Sequence, residues 1–279
     1  MSHAPDPGLF GPDSVTWKVH ADPSMALAGV RALMLQTLHP LAMAGVAQHS
    51  DYRHDPWGRL ARTGDYLAAV NFGTTAEAAR AAARLRALHA RLSGVEPETG
   101  LAYRVSDPEL LLWVHCTEVD SFLDTFRRCG GRLTGEQADR YVAEQARTAE
   151  LVGIDPADAP HRVDDLQAYY RRVRPRLRLT AAARETLWFL FNIPVPLPVR
   201  PAWTAVASLA FTLQPRWARR LWGPPGRLVG HRGADVAATA TSRSLRVLAR
   251  VAPPLRQESP ALLAARERLD AGSPARLGA

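Results

Sequence analysis

The sequence predicts an all-α protein, a multi-helix bundle, and three observations carry that expectation. Strand-forming runs are scarce, while Ala, Leu and Arg, all strong helix formers, dominate the chain. Apolar residues recur at three- and four-residue spacing over much of its length, the period of one helix face. Helix-starting pairs such as Asp107-Pro108 and chain breaks such as Gly130-Gly131 punctuate those stretches. With 279 residues, 47% of them hydrophobic and 22% charged, the chain can bury a sizeable core and has nothing of a disordered composition.

Taken in order, residues 1–13 hold three prolines and two glycines and read as a flexible arm. A short amphipathic segment at Ser14–His20 follows, and Asp22-Pro23 opens the first long helix. Residues 25–47 are nearly all apolar, interrupted by Arg31, Gln36, His39 and Pro40. A buried helix carrying functional polar residues explains that run better than a membrane span, with Pro40 ending or kinking it. Asp55-Pro56 opens a helix through about Val70, and Thr74 with Glu77 is a capping box that starts the next. Gly94 is its expected C-terminal stop, and its apolar stripe is Leu85, Leu88 and Leu92, with His89 turned to the core.

Asp107-Pro108 caps a helix to about Arg128 whose stripe is Leu111, His115, Val119, Phe122 and Phe126. Further helices are expected at Glu136–Val152, Asp164–Arg172, Thr180–Phe191, Ala202–Leu213, Asp235–Val251 and Pro260–Asp270. The texture changes after residue 174. Twelve of the 22 prolines and four of the seven tryptophans lie beyond it, so 14–279 reads as one domain with a motif-bearing core (14–174) and a Pro/Trp-rich helical tail (175–279).

Charge divides the same way. Residues 1–174 carry a balance of −3 and residues 175–279 one of +11, and every basic residue but Lys18 is Arg. A solvated surface is the plain reading, and peripheral contact with an anionic membrane the functional one. Cys116 and Cys129 lie several helical turns apart and are expected to be reduced core thiols in a cytoplasmic protein; residues 1–9 lack a signal-peptide pattern.

Most catalytic signatures are absent: no GxGxxG, GxxxxGK[ST], GxSxG, HExxH or CxxC pair, and no carboxylate set for a helical di-iron site. What remains is single inward histidines on separate helices, His89 and His115, with Arg59 and Thr63 four apart on another helix. A lone histidine on an apolar stripe is more often a hydrogen-bonded core residue than a ligand. Neutral imidazole in an apolar slot is nonetheless what a haem iron requires, and an arginine opposite it can bind propionates or polarise bound oxygen.

Several ordered motifs add to this. They are Arg31-Ala32-Leu33-Met34-Leu35-Gln36 with His39-Pro40, then Gly45-Val46 with His49-Ser50, then Asp55-Pro56 with Arg59-Leu60, Arg62-Thr63 and Tyr66. Phe72-Gly73, His89 with Gly94, Tyr103, and Asp107-Pro108 with Leu111, Trp113-Val114-His115 continue the series. Together they resemble the MpaB/rubber-oxygenase catalytic-domain family over roughly residues 15–175. The resemblance implies an all-α, partly globin-like fold around haem b, and dioxygen-dependent cleavage of a C=C bond in an apolar, isoprenoid small molecule. It implies His89 as the iron ligand and Arg59 and Thr63 as catalytic residues beside the haem. Arg62 stands where rubber enzymes also carry a basic residue, and His115 and His39 are further cofactor-binding candidates. The rubber enzymes carry two histidines three apart on the ligand helix, whereas this chain has His89 alone. No nucleic-acid partner is expected. Two other readings stay open: a haem protein of the same family serving peroxide chemistry or sensing, and a non-enzymatic Arg-rich membrane-binding helical protein.

Overall fold

The computed structural model describes residues 5–223, 232–251 and 259–271. Thirteen α-helices and one two-stranded hairpin make up the described residues. The helices are α1 (Val15–His20), α2 (Met25–Gln36), α3 (Pro40–His49), α4 (Pro56–Phe72) and α5 (Thr75–His89). After the hairpin of β1 (Ser93–Val95) and β2 (Ala102–Arg104) come α6 (Pro108–Arg128), α7 (Gly135–Val152), α8 (Val163–Val173) and α9 (Ala181–Phe191). Then follow α10 (Arg200–Thr212), α11 (Arg216–Leu221), α12 (Arg232–Val251) and α13 (Pro260–Ala271). The all-α expectation holds, and helix boundaries fall within a few residues of those read from the sequence.

The local chemistry explains those boundaries. Thr74 and Glu77 form the capping box, each side chain bonding the other's backbone N–H at 2.8–3.2 Å, and Thr134 and Gln137 form a second one on α7. Pro40 separates α2 from α3, with His39 as the N-cap whose Nδ1 accepts from the Ala42 N–H at 3.4 Å. Asp107 precedes α6 but makes no side-chain cap there, because its carboxylate accepts instead from the Arg104 N–H at 2.9 Å.

The expected stop at Gly94 is a correction. Helix α5 ends at His89, and Gly94 lies in β1 opposite Tyr103. A Cβ at Gly94 would sit 2.7 Å from the Tyr103 hydroxyl and against the Gln48 amide, so glycine is needed there for close approach. Gly94→Ala is expected to lower stability by about 1–3 kcal/mol through this overpacking, read from chemical denaturation. Wild-type stability in that variant would refute it.

The apolar stripe assigned to α5 is also corrected. Its buried residues are Ala78, Ala81 and Ala82, while Leu88 is 53% exposed. His89 therefore lies half-buried at the end of an alanine face, which lets α4 and α5 approach closely as an antiparallel pair.

One core runs through both halves of the chain. Helix α6 packs on α2, and α10 lies on the other side of α2; Trp113, Phe122 and Tyr141 share this core with Leu190, Phe211 and Trp222. The tail is thus packed onto the motif-bearing helices, through Trp222 and, further on, through Leu262 and Ala265 beside Trp17 and Phe72. Arg31, 1% exposed, enters this core as an ion pair: its guanidinium meets Asp120 at 2.9 Å and Asp124 at 3.3 Å. Residues 5–13 are pinned too, with Phe10 buried, and Asp6 accepting from Gly8 and Thr75 N–H groups. Both cysteines are free and buried, and no described helix is long and apolar enough to cross a membrane.

Candidate functional site

An apolar cavity and a cluster of polar side chains meet at Arg59. The cavity measures about 700 Å3, counting its mouth open to solvent. Leu33 and Gln36 of α2, Met43 and Val46 of α3, Arg59 and Leu60 of α4, Val114 of α6, and Phe189, Leu190 and Ile193 line it. Tyr52 and Thr186 also line the wall, but their hydroxyls bond each other at 2.9 Å, so they offer little free polarity to a bound molecule.

The polar cluster lies beside it. On α4, Arg59, Thr63 and Tyr66 share one face by spacings of four and three. The Arg59 guanidinium donates to the Thr63 hydroxyl and, at 3.3 Å, to Ser50, and the Thr63 hydroxyl donates back to the Arg59 carbonyl at 3.0 Å. Across from them stands Glu118 of α6, one turn beyond cavity-lining Val114. Glu118 is partly buried. Burial pushes its carboxyl up to about 7, against the pull of Arg59 and a hydrogen bond from Gln36. Burial lowers the Arg59 pKa, and Glu118 opposes that shift. The Tyr66 phenol is raised, first by burial and then by Glu118.

From α1, His20 bonds the Tyr141 hydroxyl at 3.1 Å and lies over Phe122, its ring centroid 4.8 Å away. Burial holds His20 neutral, with its pKa lowered to about 3. Glu118 also raises the Tyr141 pKa, behind burial.

His89 joins this group from α5. Burial lowers its pKa, and the Arg59 charge lowers it further, so the imidazole is biased to the neutral form. Arg59 thus bonds Thr63 and acts electrostatically on His89. Arg62 and His39 fall elsewhere, whereas His115 lies one turn before Glu118 on the same face of α6. Arg62 turns outward, with its side chain 61% exposed and paired with Asp55 at 3.2 Å. His39 caps α3 with its ring 5.9 Å from Trp113, and burial takes its pKa to about 4. His115 is buried on α6 and likewise held neutral, with its pKa lowered to about 4.

This arrangement bears directly on kinship. The model of the family described as "ER-bound oxygenase mpaB/B'/Rubber oxygenase, catalytic domain" matches residues 17–252, most of the chain. The chain belongs to that family. No curated protein and no solved structure matches it. Membership makes it an oxygenase-type catalytic domain, of the kind that brings oxygen to a small molecule. Within such a domain, an apolar cavity ending on charged and titratable groups has the parts of a reaction site.

The candidate site contains residues that sequence reasoning left without a role. Gln36 and Tyr66 stand in the motifs quoted above, but nothing in a linear motif shows that they face Glu118. Glu118 itself was legible as an inward position, seven residues after Leu111 and four before Phe122 on one stripe. His20 and Tyr141 were not legible, because α1 and α7 meet only in the folded protein. Among the described residues no three His, Cys, Asp or Glu side chains converge to hold a metal ion.

Proposed function

We propose that this domain is a haem b-dependent oxygenase that cleaves or oxygenates a C=C bond of an apolar, isoprenoid-like small molecule with dioxygen. The observation that carries the reading is the double position of Arg59, which lines the apolar cavity and also faces Glu118 and His89. The donor set fits haem: a neutral imidazole for the iron and an arginine with a threonine hydroxyl for propionates or an oxygen ligand. When bound, the haem would supply the binding and activation of dioxygen.

The chain's own residues do the rest. The apolar walls exclude water and hold the alkene by burial alone, so they recognise length and shape but no head group. Arg59 gives the inner end of that cavity a fixed positive charge in a low-dielectric setting, where developing negative charge on oxygen is stabilised most. Glu118, with a pKa near 7, can hold or release a proton on its carboxyl oxygens at neutral pH, and Gln36 orients it. Cleavage of a C=C bond by dioxygen leaves one oxygen atom in each of two carbonyl products and needs no outside reductant.

The decisive measurement is made on the purified full chain. Haem b content is read from the pyridine complex, and oxygen uptake is followed with an isoprenoid alkene, the products being identified by mass. Red protein that consumes dioxygen and yields carbonyl fragments is expected. Haem without oxygen uptake would favour peroxide chemistry or sensing; colourless protein after reconstitution with haemin would sink the haem reading.

Glu118 permits a separate check. Its folded pKa lies above the ordinary 4.5, so the protonated form is favoured by folding. The stability it contributes is fully present below 4.5 and is lost as pH rises through about 7. In Glu118→Gln that loss should vanish, so the variant should gain melting temperature relative to wild type at about pH 8 but not at about pH 5. An equal difference at both pH values would count against the assignment.

A further inference from the structure

We infer that the exposed apolar face formed by Trp57, Trp188 and the ridge at residues 194–199 docks on an anionic lipid bilayer, through which apolar substrate reaches the cavity. The second clause rests on the proposed reading of the cavity as a substrate pocket. Trp188 is 68% exposed, Leu197 78%, Val199 48% and Trp57 47%, an unusual set of large apolar side chains in water. They form one face. The Trp57 indole donates to the Pro194 carbonyl at 3.0 Å, and its ring meets Trp203 at 5.8 Å, fastening the start of α4 to the ridge and to α10.

The same segments are walls of the cavity. Pro56, Phe189 and Ile193 line it from inside, while their neighbours Trp57, Trp188 and Pro194 stand on the outer face. A bilayer covering this face would therefore lie one side chain away from the apolar interior. A folded partner would bury the face equally well but would deliver no apolar small molecule.

Charge favours an anionic surface. Residues 186–215 contain a single charged side chain, Arg200, and it is exposed at the end of the ridge. Around the face Asp55 and Glu185 are paired with Arg62 and Arg53, and Asp51 hydrogen-bonds His54. Arg184 and Arg200 make no ion pair with a carboxylate among the described residues, and Arg184 bonds only the Leu179 carbonyl there. The ridge and α10 themselves thus carry only positive charge, and exposed tryptophans beside arginine suit the headgroup level of a membrane.

The test uses the intact chain with vesicles of phosphatidylcholine alone and of phosphatidylcholine mixed with phosphatidylglycerol. Co-sedimentation should appear with the anionic vesicles, weaken as salt is added, and shift the tryptophan emission to the blue. Trp188→Ser with Leu197→Ser removes two exposed anchors that carry no core contact, so the fold should survive; vesicle binding should fall at least roughly tenfold. Binding undiminished in this double variant would overturn the inference in favour of another basic surface. Absence of binding to anionic vesicles at low salt would overturn it outright. Sedimentation velocity supplies the remaining outcome: a wild-type dimer that the double variant dissolves would make the face an interface between copies of the chain and overturn membrane docking. None of these readouts requires substrate or haem, so their failure leaves the oxygenase reading standing, and failure of that reading leaves them untouched.

Discussion

Replacing His89 by alanine is expected to yield folded, colourless protein with haem occupancy at least about tenfold below wild type. The imidazole is the part of the proposed cofactor site for which no other group can substitute at the same place. It stands on the last residue of α5, half-buried, with burial and the Arg59 charge both disfavouring its protonation. Because the α5 face behind it is made of alanines, truncating His89 should leave the α4–α5 contact intact, and circular dichroism should be unchanged. Absorption in the haem band and oxygen uptake should fall together. If the variant instead keeps full haem with an unchanged spectrum, the ligand must be another neutral inward histidine. His20 and His115 would then be the candidates.

The second large effect is on stability. Arg31→Met is expected to cost about 3–5 kcal/mol, a substantial part of the ~5–15 kcal/mol available to a folded domain. Arg31 is buried, and its guanidinium donates to Asp120 at 2.9 Å, to the Ser121 hydroxyl at 2.7 Å and to the Leu213 carbonyl at 3.1 Å. Removing the cation leaves Asp120 in the interior, where burial already pushes its carboxyl up, and Asp124 with only Arg128 at 3.9 Å. The loss also strands the Ser121 hydroxyl and leaves the Leu213 carbonyl with the Arg128 guanidinium alone, at 3.2 Å. Denaturant titration gives the number directly. A loss below about 1 kcal/mol would mean that water or rearranged arginines compensate the site. Haem content at low temperature should persist in this variant, since Arg31 lies in the ion cluster rather than beside Arg59.

Much of the fold was legible because helix signals are local. The two-proline starts at Pro40 and Pro56, the capping box at Thr74 and the stripe from Leu111 to Phe126 depend on residues a turn or two apart, and each appears in the structure at its expected place. Where local signals misled, a tertiary demand decided. Gly94 looked like a helix stop, yet it is glycine because Tyr103 and Gln48 crowd it across the hairpin. Leu88 fits a stripe on paper, but α4 approaches the alanine face instead.

The sequence by itself determined the helical class, the kinship, and the pairing of Arg59 with Thr63, since a four-residue spacing fixes a shared face. Only the tertiary structure decided what lies opposite that face. Glu118, Gln36, Tyr141 and His20 come from four other helices, and the pKa of Glu118 near 7 arises from its burial in the folded protein. It also decided the fate of the tail tryptophans, placing Trp222 in the core and Trp188 in water. Periodicity reports that a side chain leaves the helix on a given side; whether protein, water or a cavity waits there depends on packing between segments far apart in the chain.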